Sequence, residues 1–216
     1  MCARAALAVD ASDGSLARHN GAMTCSRLLP HADSLCRPVH SLEAEARALR
    51  PGVLGVHFTL TGDLRRIRIA QAGAGVRADG LWRHTCFEAF VRHPAVPGYL
   101  EFNFSPSGAW QVYRFSGYRQ GMTPAEPPAP PYITVGYRER DQGPADPAVR
   151  TDDALVLEAI VPLPVPFAPA QQGLRLALSA VVEEETGALS YWALRHAPGR
   201  PDFHHPDAFA LTLHGT

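Results

Sequence analysis

Apolar and polar positions alternate along most of this chain, and the period is two. Between Val53 and Leu60, Leu54, Val56, Phe58 and Leu60 fall on one side and Val53, Gly55, His57 and Thr59 on the other, which predicts a half-buried strand. Gly62-Asp63 then reads as a hairpin turn, and Leu64 to Ala70 as a further strand in which Ile67 and Ile69 alternate with Arg66 and Arg68. The pattern predicts more strands at Leu81 to His93, Tyr99 to Ser105, Trp110 to Phe115, Tyr132 to Arg138, Ala154 to Val161, Leu174 to Glu184, Leu189 to His196 and Phe209 to His214. Ser41 to Leu49 alone reads as a helix, a short one ended by Pro51-Gly52.

The proline-rich stretches Pro124 to Pro131, Gly143 to Pro147 and Pro162 to Pro169 separate these strands, since proline cannot donate to a ladder. They are too short and too closely flanked by strands to divide independent cores. The expected fold is therefore all-β, an antiparallel β-sandwich with one short helix near the N-terminus, in a single domain spanning residues 23 to 216. Residues 1 to 22 are small and polar without periodicity and read as a disordered extension.

Composition narrows the function classes. A formal net charge of -1 with scattered basic residues, all of them arginine, gives no footprint for a phosphate backbone, so nucleic acid is not an expected partner. Cys2, Cys25, Cys36 and Cys86 form no C-x-x-C pair and no zinc-finger spacing, which predicts reduced thiols. Ala5 to Val9 is too short for a signal-peptide core and meets Asp10 at once, and no later segment approaches a membrane span. The expectation is a soluble, cytoplasmic protein with no membrane partner. The sequence holds no G-x-S-x-G, H-E-x-x-H, P-loop or G-x-G-x-x-G motif, and the oligomeric state is not legible in it.

Candidate chemistry concentrates between Leu81 and Met122. In Tyr99 to Ser105, Leu100, Phe102 and Phe104 share one face, while Tyr99, Glu101, Asn103 and Ser105 share the other. Pro106-Ser107-Gly108 turns the chain into Trp110 to Phe115, a returning aromatic strand. Glu88 sits in the apolar run Thr85 to Val91, on the face of Cys86 and Phe90. A carboxylate there must pair, bind a cation or bear a raised pKa. One reading pairs it with Arg66, Arg68 or Arg92; the other has it line a polar pocket with Glu101 and Asn103. Trp82, Trp110 and Trp192 offer flat apolar faces to a sugar ring or a tetrapyrrole. His196 and Pro201-Asp202-Phe203-His204-His205 raise metal or acid-base chemistry, but His204 and His205 point apart on an extended chain and cannot share an ion without a bend.

The runs Leu81-Trp82, Thr85-Cys86-Phe87-Glu88-Ala89-Phe90 and Glu101-Phe102-Asn103-Phe104-Ser105-Pro106-Ser107-Gly108-Ala109-Trp110 resemble those of bacterial DOMON-like proteins, related to family 9 carbohydrate-binding modules. Ser190 to His196 and Pro201 to Phe209 agree with that resemblance, which covers Thr24 to Leu213. It implies a jelly-roll or immunoglobulin-like sandwich whose relatives bind sugars or haem. The leading expectation is non-catalytic binding of a small molecule, a sugar or sugar-like metabolite. Trp82 and Trp110 would be the platforms, Arg83, Glu88, Glu101 and Asn103 the orienting groups, with His84 and Trp192 completing the candidate set. Haem is an alternative cofactor, with Met122 and one of His57, His84 or His196 as axial ligands, although the chain has no C-x-x-C-H motif and no lysine. Further alternatives are a metal- or carboxylate-dependent hydrolase using Glu88, Glu101 and the His196 to His205 segment, and a structural or protein-interaction domain.

Overall fold

Where helix propensity and period-two alternation disagree, at Ser41 to Leu49, alternation decides, and Val39–Arg50 is a strand. The expected helix is absent because Leu42, Ala44 and Ala46 face the core while Glu43, Glu45 and Arg47 face outward. Ala44 lies opposite Phe58 and Ala46 opposite Val56, so small side chains meet large ones across the ladder. Tertiary pairing thus overrides the intrinsic preference of Ala, Leu and Glu for helix. Gly52, with φ of 73°, makes the sharp return that lets this strand pair with the next.

The computed structural model describes residues 24–34, 38–138, 153–167 and 173–214. The expected extension over residues 1 to 22, and with it Cys2, lies outside them, as do Cys36 and the Gly143 to Pro147 loop. The strands are β1 (Thr24–Arg27), β2 (Leu29–Pro30), β3 (Val39–Arg50), β4 (Val53–Gly62), β5 (Cys86–Arg92), β6 (Tyr99–Phe104), β7 (Trp110–Phe115), β8 (Thr123–Pro124), β9 (Tyr132–Arg138), β10 (Asp153–Pro162), β11 (Leu174–Glu183), β12 (Leu189–Ala193) and β13 (Leu211–Leu213). They form two antiparallel sheets. One runs β1-β3-β4-β10-β9; the other runs β2-β12-β11-β5-β6-β7-β8, with β13 also on β11. No described helix is long and apolar enough to cross a membrane.

Leu64 to Ala70 is a second correction. A 3-10 turn at Leu64–Arg66 replaces the predicted strand, and the backbone of Ile67 forms just an isolated bridge, to Glu184. The segment carries the chain from one sheet to the other, and its arginines serve that crossing: the Arg68 amide donates to Glu183 and its guanidinium to the Glu183 carboxylate.

Between the sheets lies the main core. Leu42, Phe58, Leu60, Leu155 and Leu157 from one sheet meet Phe87, Leu100, Phe102, Phe104, Val112 and Leu178 from the other. A second apolar cluster covers the outer face of the larger sheet, where Phe203, Ala208 and Phe209 pack over Phe90, Tyr99, Tyr113, Phe115 and Ala177. The larger sheet is therefore buried on both sides, which is why β5 and β11 read as nearly continuous hydrophobic runs. Polar residues that fall on its outer face are buried as well.

Candidate functional site

The outer face of the larger sheet carries a polar row that crosses four strands. Register places Gln111 of β7 opposite Asn103 of β6, Asn103 opposite Glu88 of β5, and Glu88 opposite Ser179 of β11. The next row holds Tyr113, Glu101, Phe90 and Ala177. Glu88 is 3% exposed, Glu101 5% and Asn103 0%, so two carboxyl groups and an amide share a nearly dry environment.

Their hydrogen bonds are short-range. Asn103 Nδ2 donates to Glu101 Oε1 at 2.7 Å, Cys86 Sγ donates to Asn103 Oδ1 at 3.6 Å, and Ser179 Oγ donates to Glu88 Oε2 at 3.4 Å. None of Arg66, Arg68 and Arg92 pairs with Glu88, and Arg68 is engaged by Glu183 at 2.8 Å. Among the described residues, His196 Nδ1 is the one buried side-chain polar atom without a partner. The remaining oxygens of Glu88 and Glu101 accept no hydrogen bond from the described residues.

Burial dominates the electrostatics. It pushes the Glu88 carboxyl well above the usual carboxylate range, and the neighbouring Glu101 charge adds to the effect. Glu101 rises to about 7 through burial, against the opposing pull of the Asn103 hydrogen bond and the Arg119 charge. The Cys86 thiol is also pushed up by burial, which removes it as a nucleophile at neutral pH.

Two segments frame this row. On one side, Gly80 in the left-handed region (φ of 75°) starts a 3-10 turn at Leu81–Arg83. Trp82 from that turn meets the Tyr113 ring edge to face at 5.5 Å. Asp79 accepts from Tyr113 Oη at 2.8 Å and from Gln111 Nε2 at 2.5 Å, fixing the start of the turn to β7. Glu183 fixes its end, with His84 Nδ1 at 2.7 Å from Oε2 and the Thr85 hydroxyl accepting from the Glu183 amide. Arg83 and His84 are exposed at the rim.

On the other side, the segment from Asp202 to Phe209 is tied down by Asp202, which accepts from Arg119 Nη2 at 2.9 Å, from the Tyr118 hydroxyl and from the His204 amide. The His204 ring packs edge-on against Phe90 at 5.1 Å and Phe115 at 5.0 Å. Tyr99 Oη accepts from the Arg119 amide and shares a hydrogen bond of 2.8 Å with His204 Nδ1. His204 Nε2 lies 3.9 Å from Glu101 Oε2. Burial holds the His204 imidazole down to about 4, so it is neutral at pH 7.

Trp110 and Trp192 stand apart from this site. Both side chains belong to the core between the sheets, Trp110 in register with Phe104 and Trp192 with Ala180. Trp192 Nε1 donates to Ser190 Oγ at 3.0 Å within that core, and Arg77 stacks on Trp110 at 5.4 Å. The proposed haem ligands are likewise dispersed. His57 lies on β4 beside Glu158, His84 pairs with Glu183, His196 faces Leu29, and Met122 is exposed. No group of three His, Cys, Asp or Glu that could hold a metal ion occurs among the described residues.

The sandwich has solved counterparts. A candidate carbohydrate-binding protein from Bacteroides uniformis superposes with a TM-score of 0.55 at 15% identity, over 89% of this chain and 85% of that one. A family 9 carbohydrate-binding module from Caldicellulosiruptor kristjanssonii, solved with cellotriose, gives a TM-score of 0.46 at 10% identity over 90% and 84%. The sequence matches no family model and no curated protein.

Of the residues expected to carry the site, Glu88, Glu101 and Asn103 converge on one face, with Trp82, Arg83 and His84 on the turn beside them. Sequence reasoning missed Gln111, Ser179 and Asp79. The first two carried a signal, because each sits at the outward phase of its alternating strand; Asp79 lies in a loop and carried none.

Proposed function

We propose that this protein binds a small polyhydroxylated ligand, a sugar or sugar-like metabolite, on the outer face of its larger sheet, without catalysis. The observation that carries the reading is the row Gln111, Asn103, Glu88 and Ser179 with Glu101 beside it, in which two buried carboxyl groups each keep an oxygen uncommitted. A carboxyl titrating near neutrality can donate to or accept from a hydroxyl, so the row matches the mixed character of a sugar edge. The partly buried Trp82 ring supplies an apolar wall, and Arg83 and His84 supply polar groups at the rim. The resemblance of Thr85 to Phe90 and Glu101 to Trp110 to DOMON-like proteins supports the same reading.

Thermal-shift screening and calorimetry against monosaccharides, disaccharides and nucleotide-sugars test it. A ligand that binds only the folded protein raises its melting temperature, and Glu101→Ala or Asn103→Ala should remove that rise. Absence of a shift with every class, or a shift unchanged in both variants, would sink the proposal.

One observation favours hydrolysis as a second reading: Glu101 titrates near 7 and stands beside both Glu88 and a neutral imidazole. Aryl glycosides decide between the two. Release of the aryl group that disappears in both Glu88→Gln and Glu101→Gln would replace binding with turnover.

A further inference from the structure

The smaller sheet ends in an edge strand, β9, that no further strand joins among the described residues. β9 pairs with β10 on one side only, and no other backbone hydrogen bond reaches Tyr132–Arg138 among the described residues. Alternate residues of an edge strand aim their N–H and C=O groups away from the sheet, a template for another strand. Proteins usually blunt such edges with proline, bulges or inward charges, whereas Tyr-Ile-Thr-Val-Gly-Tyr-Arg is β-branched and aromatic, with Tyr132 64% and Tyr137 59% exposed.

We propose that β9 is the interface for a second copy of this chain, whose own β9 pairs with it antiparallel about a two-fold axis at Gly136, joining the two five-stranded sheets into one. Self-complementarity selects this occupant and this register. With Gly136 opposite its own copy, Thr134 faces Arg138 and Val135 faces Tyr137. Thr134 is also the ladder partner of Glu158 on β10, so Arg138 of each copy enters the row that ends in Glu158 of the other. A strand spacing of about 4.8 Å puts those two Cα atoms about 10 Å apart, within reach of an extended arginine and a glutamate.

The surface is shaped for that contact. A groove of about 270 Å³ lies over Gly136, bordered by Thr134, Arg138, Val156 and Glu158, and a Cβ at Gly136 would meet nothing within 4 Å. Arg138 has no ion-pair partner among the described residues, and Glu158 has His57 at 3.9 Å. The Tyr132 end of β9 is flanked by Gly73 to Gly75 and Ser107 to Gly108, and pairing centred on Gly136 lies away from them. Since β9 belongs to the smaller sheet, association leaves the Glu88 and Glu101 face of both copies open.

Sedimentation equilibrium of the full chain over a wide concentration range tests the proposal. The expected result is a monomer–dimer equilibrium that Arg138→Glu weakens at least tenfold and that the double exchange Arg138→Glu with Glu158→Arg restores. Circular dichroism melts confirm that the variants stay folded, as both residues are on the surface. A monomer at every concentration would overturn it, as would self-association indifferent to Arg138→Glu or a double exchange that fails to restore the dimer.

Discussion

His204 Nε2 stands 3.9 Å from Glu101 Oε2, too far for a hydrogen bond, in a place where burial favours the neutral form of both groups. The two residues come from distant parts of the chain and titrate in opposite senses, so this contact makes stability depend on pH in two competing ways.

Glu101 titrates at about 7 when folded and near its ordinary 4.5 when unfolded. Between those values the folded protein holds a proton that the unfolded chain has lost, so the stabilisation present below pH 4.5 disappears as the pH rises to 7. The difference amounts to about 3 kcal/mol. Glu101→Gln should therefore be more stable than the parent at pH 8 and close to it at pH 4.5. Urea denaturation at both pH values checks this, and parallel pH profiles for the two proteins would contradict it.

For His204 the sign is reversed. Folded, it titrates at about 4 against an ordinary 6.5, so its stabilisation is present above 6.5 and is lost on acidification toward 4. His204→Phe keeps the packing against Phe90 and Phe115 but leaves the Tyr99 hydroxyl without its hydrogen-bond partner, at a cost of about 1–3 kcal/mol at pH 7. With the imidazole gone, the fall in stability between pH 4.5 and 7 should steepen, because its opposing slope has been removed.

Trp192 separates core from site. Its side chain is 4% exposed and lies between the sheets, so Trp192→Ala should cost about 3–5 kcal/mol while the folded fraction keeps its ligand affinity. Trp82→Ala should show the converse, a small loss of stability and a large loss of binding. Denaturant melts combined with calorimetry on both variants distinguish these outcomes.

Glu183 is a positioning residue for the Trp82 turn. Its hydrogen bonds to His84 and Arg68 hold its carboxyl below the usual range, although burial works against them. Because His84 and Arg68 are well exposed, Glu183→Ala should cost only about 1–2 kcal/mol. Ligand affinity should fall several-fold through loosening of Leu81–Arg83, and Glu183→Gln should recover part of it by keeping one hydrogen bond. The native contribution of Glu183 is present above pH 4.5 and declines on acidification.

Period two in the sequence was enough for the all-β architecture, most strand positions and the two-sided character of β6, because alternation is a local property of extended chain. It also put Glu101 and Asn103 on one face of their strand, and Glu88 on the face of Cys86 and Phe90. It misread Ser41 to Leu49, where alanine and glutamate favour helix in isolation yet alternate strictly, and only pairing with β4 settles the conflict. Leu64 to Ala70 failed for a related reason: alternation without a neighbouring strand makes a crossing segment, not a ladder.

What tertiary structure alone decided is which side of each sheet is core and what covers the other side. Trp110 and Trp192 have strand spacing as good as any ligand platform, but register puts them in the same phase as Phe104 and Ala180, between the sheets. The convergence of Glu101 with His204 spans 103 residues and depends on Phe203 and Phe209 folding over the outer face. Periodicity fixes a side chain's phase on its own strand; the sign of that phase, and the partner that meets it, are set by long-range packing.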